Sequence, residues 1–370
     1  MKSRYFYVIF ISIIIIIEAL LRSGYVNVND EISDNRCIRL HKKNTSLVSD
    51  FSGLYGFKKI VKFNTNDKRE IISGNNIINN AANFYFFGGS TTASYEVNQG
   101  KRWPDMIVNA TTHNYGHGGI HMDTSYANMT YLNDNKIILP NSTLVVMHGI
   151  NDLNHIIYNI KNKTDSFECV DKSLHKMARR PIKSFILENV YIVSFINKIA
   201  NDVRDYFNNN YDPLNPDDVF NAIKMHKINE SGDELYLIES EYADLYERIL
   251  PHLDNRVDVL QNIYNFSVKN NHRLIFLTQP NAYDSKYIIK NNVFMYSTYR
   301  GKRITIESHS ELLSLLNDQV LNFCLEKGLK CVDINSEFSK YDINKIFLDE
   351  VHYSEYGSKK IAGIINSKIE

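Results

Sequence analysis

The chain carries no excess charge of either sign: 42 Lys and Arg balance 42 Asp and Glu across 370 residues. A surface without surplus cations suits a nucleic-acid polyanion poorly, which argues against a dedicated nucleic-acid binder. Proline and glycine are scarce, at 7 and 16 residues, which excludes collagen-like and low-complexity organisation. Apolar residues make up 44%, too many for wholesale disorder. Cysteine is rarer still, at Cys37, Cys169, Cys324 and Cys331, with no CxxC or Cys/His ligand spacing, so no zinc site is expected. In an exported chain these four allow three disulfide pairings. Cys324 with Cys331 is one candidate that geometry must decide.

Long hydrophobic runs are also missing, except at the N-terminus. After Lys2 and Arg4, Tyr5 to Ile17 reads YFYVIFISIIIII without a charge, and the apolar stretch ends at Leu21 before Arg22. As a helix it would span about 25 Å at roughly 1.5 Å per residue, just short of the hydrocarbon core of a bilayer. A positive start before an apolar run is an export signal, and no small-x-small cleavage site follows. The expectation is an uncleaved signal anchor over residues 1–22, its positive end cytoplasmic and the rest periplasmic or extracellular. A cleaved signal peptide and a buried core helix are the competing readings.

Residues 23–78 are polar and read as a stalk followed by an irregular or short-stranded lead-in. From Asn83 the texture changes. NFYFF stops at Gly88-Gly89, STLVVM at His148-Gly149 and RLIFLT at Gln279-Pro280, while KCVDI follows a helical stretch and a glycine. Such short apolar runs, bounded by turn residues, are the pattern of buried strands. Helical spacing over Asp258–Val268 and Glu311–Leu325 separates them. The alternation predicts an α/β fold: a three-layer α/β/α domain over residues 79–370 with a central, mostly parallel sheet. The 125 or so residues between the second and third strands exceed a simple crossover. Residues from about 154 to 250 are therefore expected to form a helical insert or lid.

In a parallel sheet the chemistry gathers at the carboxyl ends of the strands, and four polar blocks stand there. Gly88-Gly89-Ser90-Thr91-Thr92 offers a tight turn and a hydroxyl at a helix start. Asn114-Tyr115-Gly116-His117-Gly118-Gly119 can turn backbone N–H groups toward a substrate oxygen. Gly149-Ile150-Asn151-Asp152 can add a side-chain amide donor. Asp349-Glu350-Val351-His352 places a carboxylate and an imidazole three residues apart, close enough to meet on one turn. His113, His117 and His121 have helical ligand spacing, but the glycines between them make a helix, and hence a metal site, unexpected. His148 and His155 flank the third block and could line a pocket. Trp103 could stack on a sugar or belong to the core.

Taken together and in this order, the blocks resemble the SGNH hydrolases, the superfamily that includes the GDSL esterases and lipases. The resemblance covers roughly residues 83–364, apart from the insert and much of 282–310. It implies Ser90 as nucleophile, Asp349 and His352 as its partners, and an oxyanion hole of Ser90, Gly119 and Asn151. Gly118 competes with Gly119 for that role. The family's Gly-Asp-Ser is Gly-Gly-Ser here. The anchor is also similar to those of membrane-tethered bacterial members. The implied activity is an exported serine esterase acting on O-acyl, acetyl-type esters of surface glycans or lipids, without metal or cofactor. The alternatives are an O-acyltransferase on the same scaffold and a catalytically silent glycan-binding domain.

Overall fold

The structure, a computed structural model, describes residues 38–50, 59–73, 82–162, 236–283 and 298–369. The expected anchor over residues 1–22 and most of the expected insert lie outside these residues. Among the described residues no helix is long and apolar enough to cross a membrane.

In chain order the elements are β1 (Ser46–Asp50), β2 (Ile60–Asn64), β3 (Ala82–Gly88), α1 (Ser90–Ala93), β4 (Ala110–Asn114), α2 (Met122–Asp134), β5 (Thr143–Met147), α3 (Ile150–Asn162), α4 (Glu239–Lys269), β6 (Arg273–Leu277), β7 (Thr298–Tyr299), β8 (Lys302–Arg303), α5 (Ile306–Lys327), β9 (Lys330–Val332), α6 (Ile334–Phe338), α7 (Ile343–Ile346) and α8 (Glu355–Ile369). A single 3₁₀ turn, Trp103–Met106, precedes β4.

The central sheet has five strands in the order β4-β3-β5-β6-β9, all parallel. Every residue of β5 is buried, as is most of β3, because helices cover both faces. That double burial makes these strands read as continuous apolar runs. One helical layer joins α2, α3, α4 and α5, which contact one another, while α8 contacts the 3₁₀ turn, α6 and α7. Right-handed crossovers place these two groups on opposite faces. The strand order reverses between β3 and β5, so the crevice of the sheet opens beyond their carboxyl ends.

Three elements differ from expectation. β4 was not among the apolar runs, because its sequence, ATTHN, is polar and alternates between buried and half-buried residues at the sheet edge. The segment read as stalk and lead-in is built into the domain where it is described. Ile38 and Leu40 are buried, and Arg39 exchanges hydrogen bonds of 2.9 and 2.8 Å with the Asn128 side chain on α2. β1 and β2 pair antiparallel, and the Ile71 amide donates to the Asn114 carbonyl at 2.8 Å, covering the open edge of β4. The expected insert boundary near Leu250 falls inside α4, which continues through Pro251 as one helix into the third apolar run. Tertiary packing overrides the missing donor there, since Leu245 and Ile249 before Pro251, like Val259 and Leu260 after it, are fully buried.

α5 begins at Thr305, whose hydroxyl accepts from the Ser308 amide, and ends at Gly328 in the left-handed region at φ 62°. Cys324 at its end and Cys331 on β9 form a disulfide with Cα atoms 6.1 Å apart. Cys37 and Cys169 lie outside the described residues. Trp103 belongs to the core: it is fully buried against Phe86 and donates from its indole nitrogen to the Thr91 carbonyl at 3.0 Å.

A buried ion pair locks α4 to α3. Arg256 donates from Nε to Asp152 Oδ2 at 2.8 Å, and both side chains are fully enclosed. Arg256 also donates to the Leu316 carbonyl and to Gln319 Oε1 on α5. Burial alone would raise the Asp152 carboxyl, but Arg256, His148 and the Met122 amide hold it below its ordinary value. The stability it supplies is therefore present above the unfolded carboxylate pKa and is lost as pH falls through the lower folded value. Replacing Arg256 by Met strands a buried carboxylate and should cost about 3–5 kcal/mol, read as a lower urea midpoint at pH 7. An unchanged midpoint would show that the pair contributes no net stability.

Candidate active site

The turn after β3 sets the site. α1 begins at Ser90, so the Ser90 amide is the first of the helix and has no acceptor among the described residues. A side chain at Gly89 would collide with the Asn151 side-chain nitrogen, so only glycine lets the two loops close together. The Gly88 strand position pairs with Met147, which brings the ends of β3 and β5 level. Both polar blocks therefore meet at the switch point of the sheet.

The C-terminal loop between α7 and α8 reaches across to this point. His352 Nε2 lies 2.8 Å from Ser90 Oγ, over a sequence separation of 262 residues. His352 Nδ1 lies 2.7 Å from Asp349 Oδ2. The other oxygen of Asp349 accepts from the amides of Val351 at 2.9 Å and His352 at 2.7 Å. Burial alone would raise the Asp349 carboxyl, but the His352 ring and these two amides hold it below its ordinary value. For His352 burial would lower the pKa, yet the carboxylates of Asp349, Glu96 and Glu350 together raise it to about 10. The carboxylate fixes the ring with Nδ1 protonated, which leaves Nε2 to accept from Ser90 in the neutral ring.

Two further groups on neighbouring turns could offer N–H donors to a ligand oxygen. Gly119 is exposed, adopts φ 71°, and its amide has no acceptor among the described residues. The Gly118 amide is already committed: it donates to Tyr95 Oη at 2.8 Å. Gly119, rather than Gly118, is thus the glycine with an amide to offer. Asn151 Nδ2 donates one hydrogen to the Ile120 carbonyl at 3.0 Å, which ties it to the Gly119 loop and leaves the second hydrogen for a ligand oxygen.

Several supporting residues escaped sequence reasoning. Gln279, two residues after β6, accepts from the Ile150 amide at 2.8 Å and reaches Thr91 Oγ1 at 3.4 Å, so it bridges the Asn and Ser blocks. Its position after an apolar run was the signal. Asp152, already part of the Asn block but with no role read for it, accepts from the Met122 amide at 2.9 Å and fixes the far end of the Gly119 loop. His41 from the lead-in lies 2.9 Å from the Gly116 carbonyl through Nε2 and stacks on His117. Glu96, six residues after Ser90, places Oε1 3.8 Å from His352 Nε2.

The three histidines with helical spacing go separate ways. His113 pairs with Glu70 at 2.7 Å, His117 stacks on His41, and His121 pairs with Asp123 and stacks on His155. His148 is buried, bonds to Ser125 Oγ at 2.8 Å, and is lowered to about 4, chiefly by burial. Among the described residues no group of three side chains could hold a metal ion.

Comparison with known proteins points the same way. The GDSL esterase/lipase CPRD49 of Arabidopsis thaliana is 30% identical over 128 residues, which are 34% of this chain and 42% of that protein. Over that stretch the chain is similar to a GDSL esterase/lipase. It spans less than half the length of this relative. No family model matches the chain. Among solved structures, a lipolytic G-D-S-L family protein of Veillonella parvula is 14% identical, with a TM-score of 0.41 over 78% of this chain and 98% of that one. Axe2, an acetylxylan esterase of Geobacillus stearothermophilus, is 11% identical, with a TM-score of 0.38 over 80% and 94%. Likeness at that level decides neither fold nor function.

For an SGNH-type oxyanion hole, Asn151 matters mainly once the carbonyl oxygen has become charged. Asn151→Ala should therefore lower kcat for p-nitrophenyl acetate by about 10²–10³ with little change in KM. An unchanged turnover number would remove Asn151 from the mechanism.

Proposed function

We propose that the chain is a serine ester hydrolase that cleaves acetyl-type O-acyl esters of surface glycans or lipids through an acyl-enzyme. The observation that carries this reading is the hydrogen-bonded series from Asp349 through His352 to Ser90, with three N–H donors, the Ser90 and Gly119 amides and the second hydrogen of Asn151 Nδ2, left for a ligand. Neutral His352 takes the Ser90 proton on Nε2 as Ser90 Oγ attacks the ester carbonyl. Asp349 stabilises the imidazolium, and the Ser90 and Gly119 amides with the Asn151 amide hold the tetrahedral oxyanion. His352 then returns the proton to the departing alcohol. Water, activated by the same nitrogen, releases the acid and restores Ser90.

The glycan or lipid class and the location are parts of the same proposal. The apolar run Tyr5–Leu21 would hold the catalytic domain at the outer membrane–water boundary, where acylated glycans and lipids are both within reach.

A fluorophosphonate probe should label Ser90 in the folded protein, and Ser90→Ala should abolish the label. With an O-acetylated oligosaccharide the products should be free acetate and the deacetylated sugar. Transfer of the acetyl group to a second sugar in place of water would make the protein an acyltransferase. Failure of the folded protein to label at any pH would leave it a non-catalytic binding domain.

A further inference from the structure

A buried carboxylate stands where the usual catalytic set has none. Glu96 is buried in the turn between α1 and the 3₁₀ turn, with its side chain 8% exposed. Its Oε1 is 3.8 Å from His352 Nε2, the nitrogen that also faces Ser90 Oγ at 2.8 Å. Asp349 occupies the opposite edge of the ring, at Nδ1. The imidazole is thus flanked by carboxylates at both nitrogens.

We infer that Glu96 is a positioning residue of the SGNH site, pairing with the His352 imidazolium at Nε2 and setting the pH at which the ring becomes free to accept the Ser90 proton. The inference rests on the hydrolase reading of Ser90 and deepens it. The physical basis is Coulombic. An ionised carboxylate within about 4–6 Å of a buried imidazole favours its cation by 1–3 pH units. The Nε2 proton of that cation blocks the only lone pair that can receive the serine hydrogen. The same pairing stabilises the cation once the serine hydrogen has been transferred. Glu96 therefore trades activity in acid for a better-stabilised imidazolium in alkali.

The surrounding charges leave this role to Glu96. Asp349 and Glu350 act on His352 from its own loop. The Glu96 carboxyl lies above its ordinary value, chiefly through burial and also through Asp349, while His352 and Lys59 of the lead-in draw it down. Arg102 also acts on Glu96, but it is held by the Ser94 and Lys62 carbonyls at 3.3 Å and lies 3.8 Å from Asp105.

The test is the pH profile of kcat/KM for p-nitrophenyl acetate, with fluorophosphonate labelling of Ser90 followed in the same samples. Glu96→Gln keeps shape and removes charge. Its acid limb should move down by about one to three pH units. An unmoved limb in a folded variant overturns the inference. Should Glu96→Gln fail to fold, Glu96→Asp retracts the carboxylate by one methylene and should shift the limb the same way by less; an unmoved limb there overturns it equally. If wild-type Ser90 never labels, the hydrolase reading falls and this inference with it. If Ser90 labels with the same pH dependence in wild type and Glu96→Gln, only the inference falls.

Discussion

The carboxylate of Asp349 is the fixed point of this molecule's active edge. A carboxylate removed from water is costly unless its lone pairs are matched by donors. Here three donors from two adjacent residues supply the match: the Val351 amide, the His352 amide and the His352 ring. Meeting that requirement folds the loop into a tight turn and orients the imidazole at once. The ring then has one free edge, and the only nearby hydroxyl on that edge among the described hydrogen bonds is Ser90. Ser90, His352 and Asp349 are therefore aligned by the cost of leaving one buried charge unsatisfied, more than by any attraction specific to serine.

The opposite wall is held by a different set of buried polar contacts. β3 and β5 lie side by side where the strand order reverses, so the Ser90 and Asn151 turns emerge together. Gln279 stitches the two turns from β6, while Arg256 and Asp152 join α4 to the Gly119 loop through the Met122 amide. Tyr95 takes up the Gly118 amide and so leaves Gly119 as the donor facing outward. Each of these groups is polar and enclosed, where a hydrogen bond left unmade is costly and one geometry is favoured over its neighbours. Preorganised donors need no reorganisation when charge develops, which is the principal use of such a wall in acyl transfer.

How much of this could be read from the chain depends on where the information lies. Strands buried on both faces announced themselves as apolar runs, so β3, β5 and β6 were legible, as were the polar blocks that end them, while the edge strand β9 was legible from its place after a helical stretch and a glycine. β4 was not, because an edge strand built from ATTHN has half-buried residues and no hydrophobic run. The continuity of α4 was hidden by Pro251, a local breaker overridden by apolar contacts on both sides. The choice between Gly118 and Gly119 turned on Tyr95, a contact 23 residues away that spacing does not encode. Glu96, Gln279 and Arg256 act through partners more than 100 residues distant, and a carboxylate, an amide or a guanidinium in isolation carries no mark of such a role.

The account's central claim is that Ser90 is the atom to which the acyl group is transferred. The direct measurement is peptide mapping after rapid acid quench of the protein with p-nitrophenyl acetate at alkaline pH. An acetyl group on the peptide containing Ser90, absent when Asp349-bound His352 is replaced by Ala, is the predicted result. Turnover with the acetyl group on another side chain, or on none at any quench time, would contradict it.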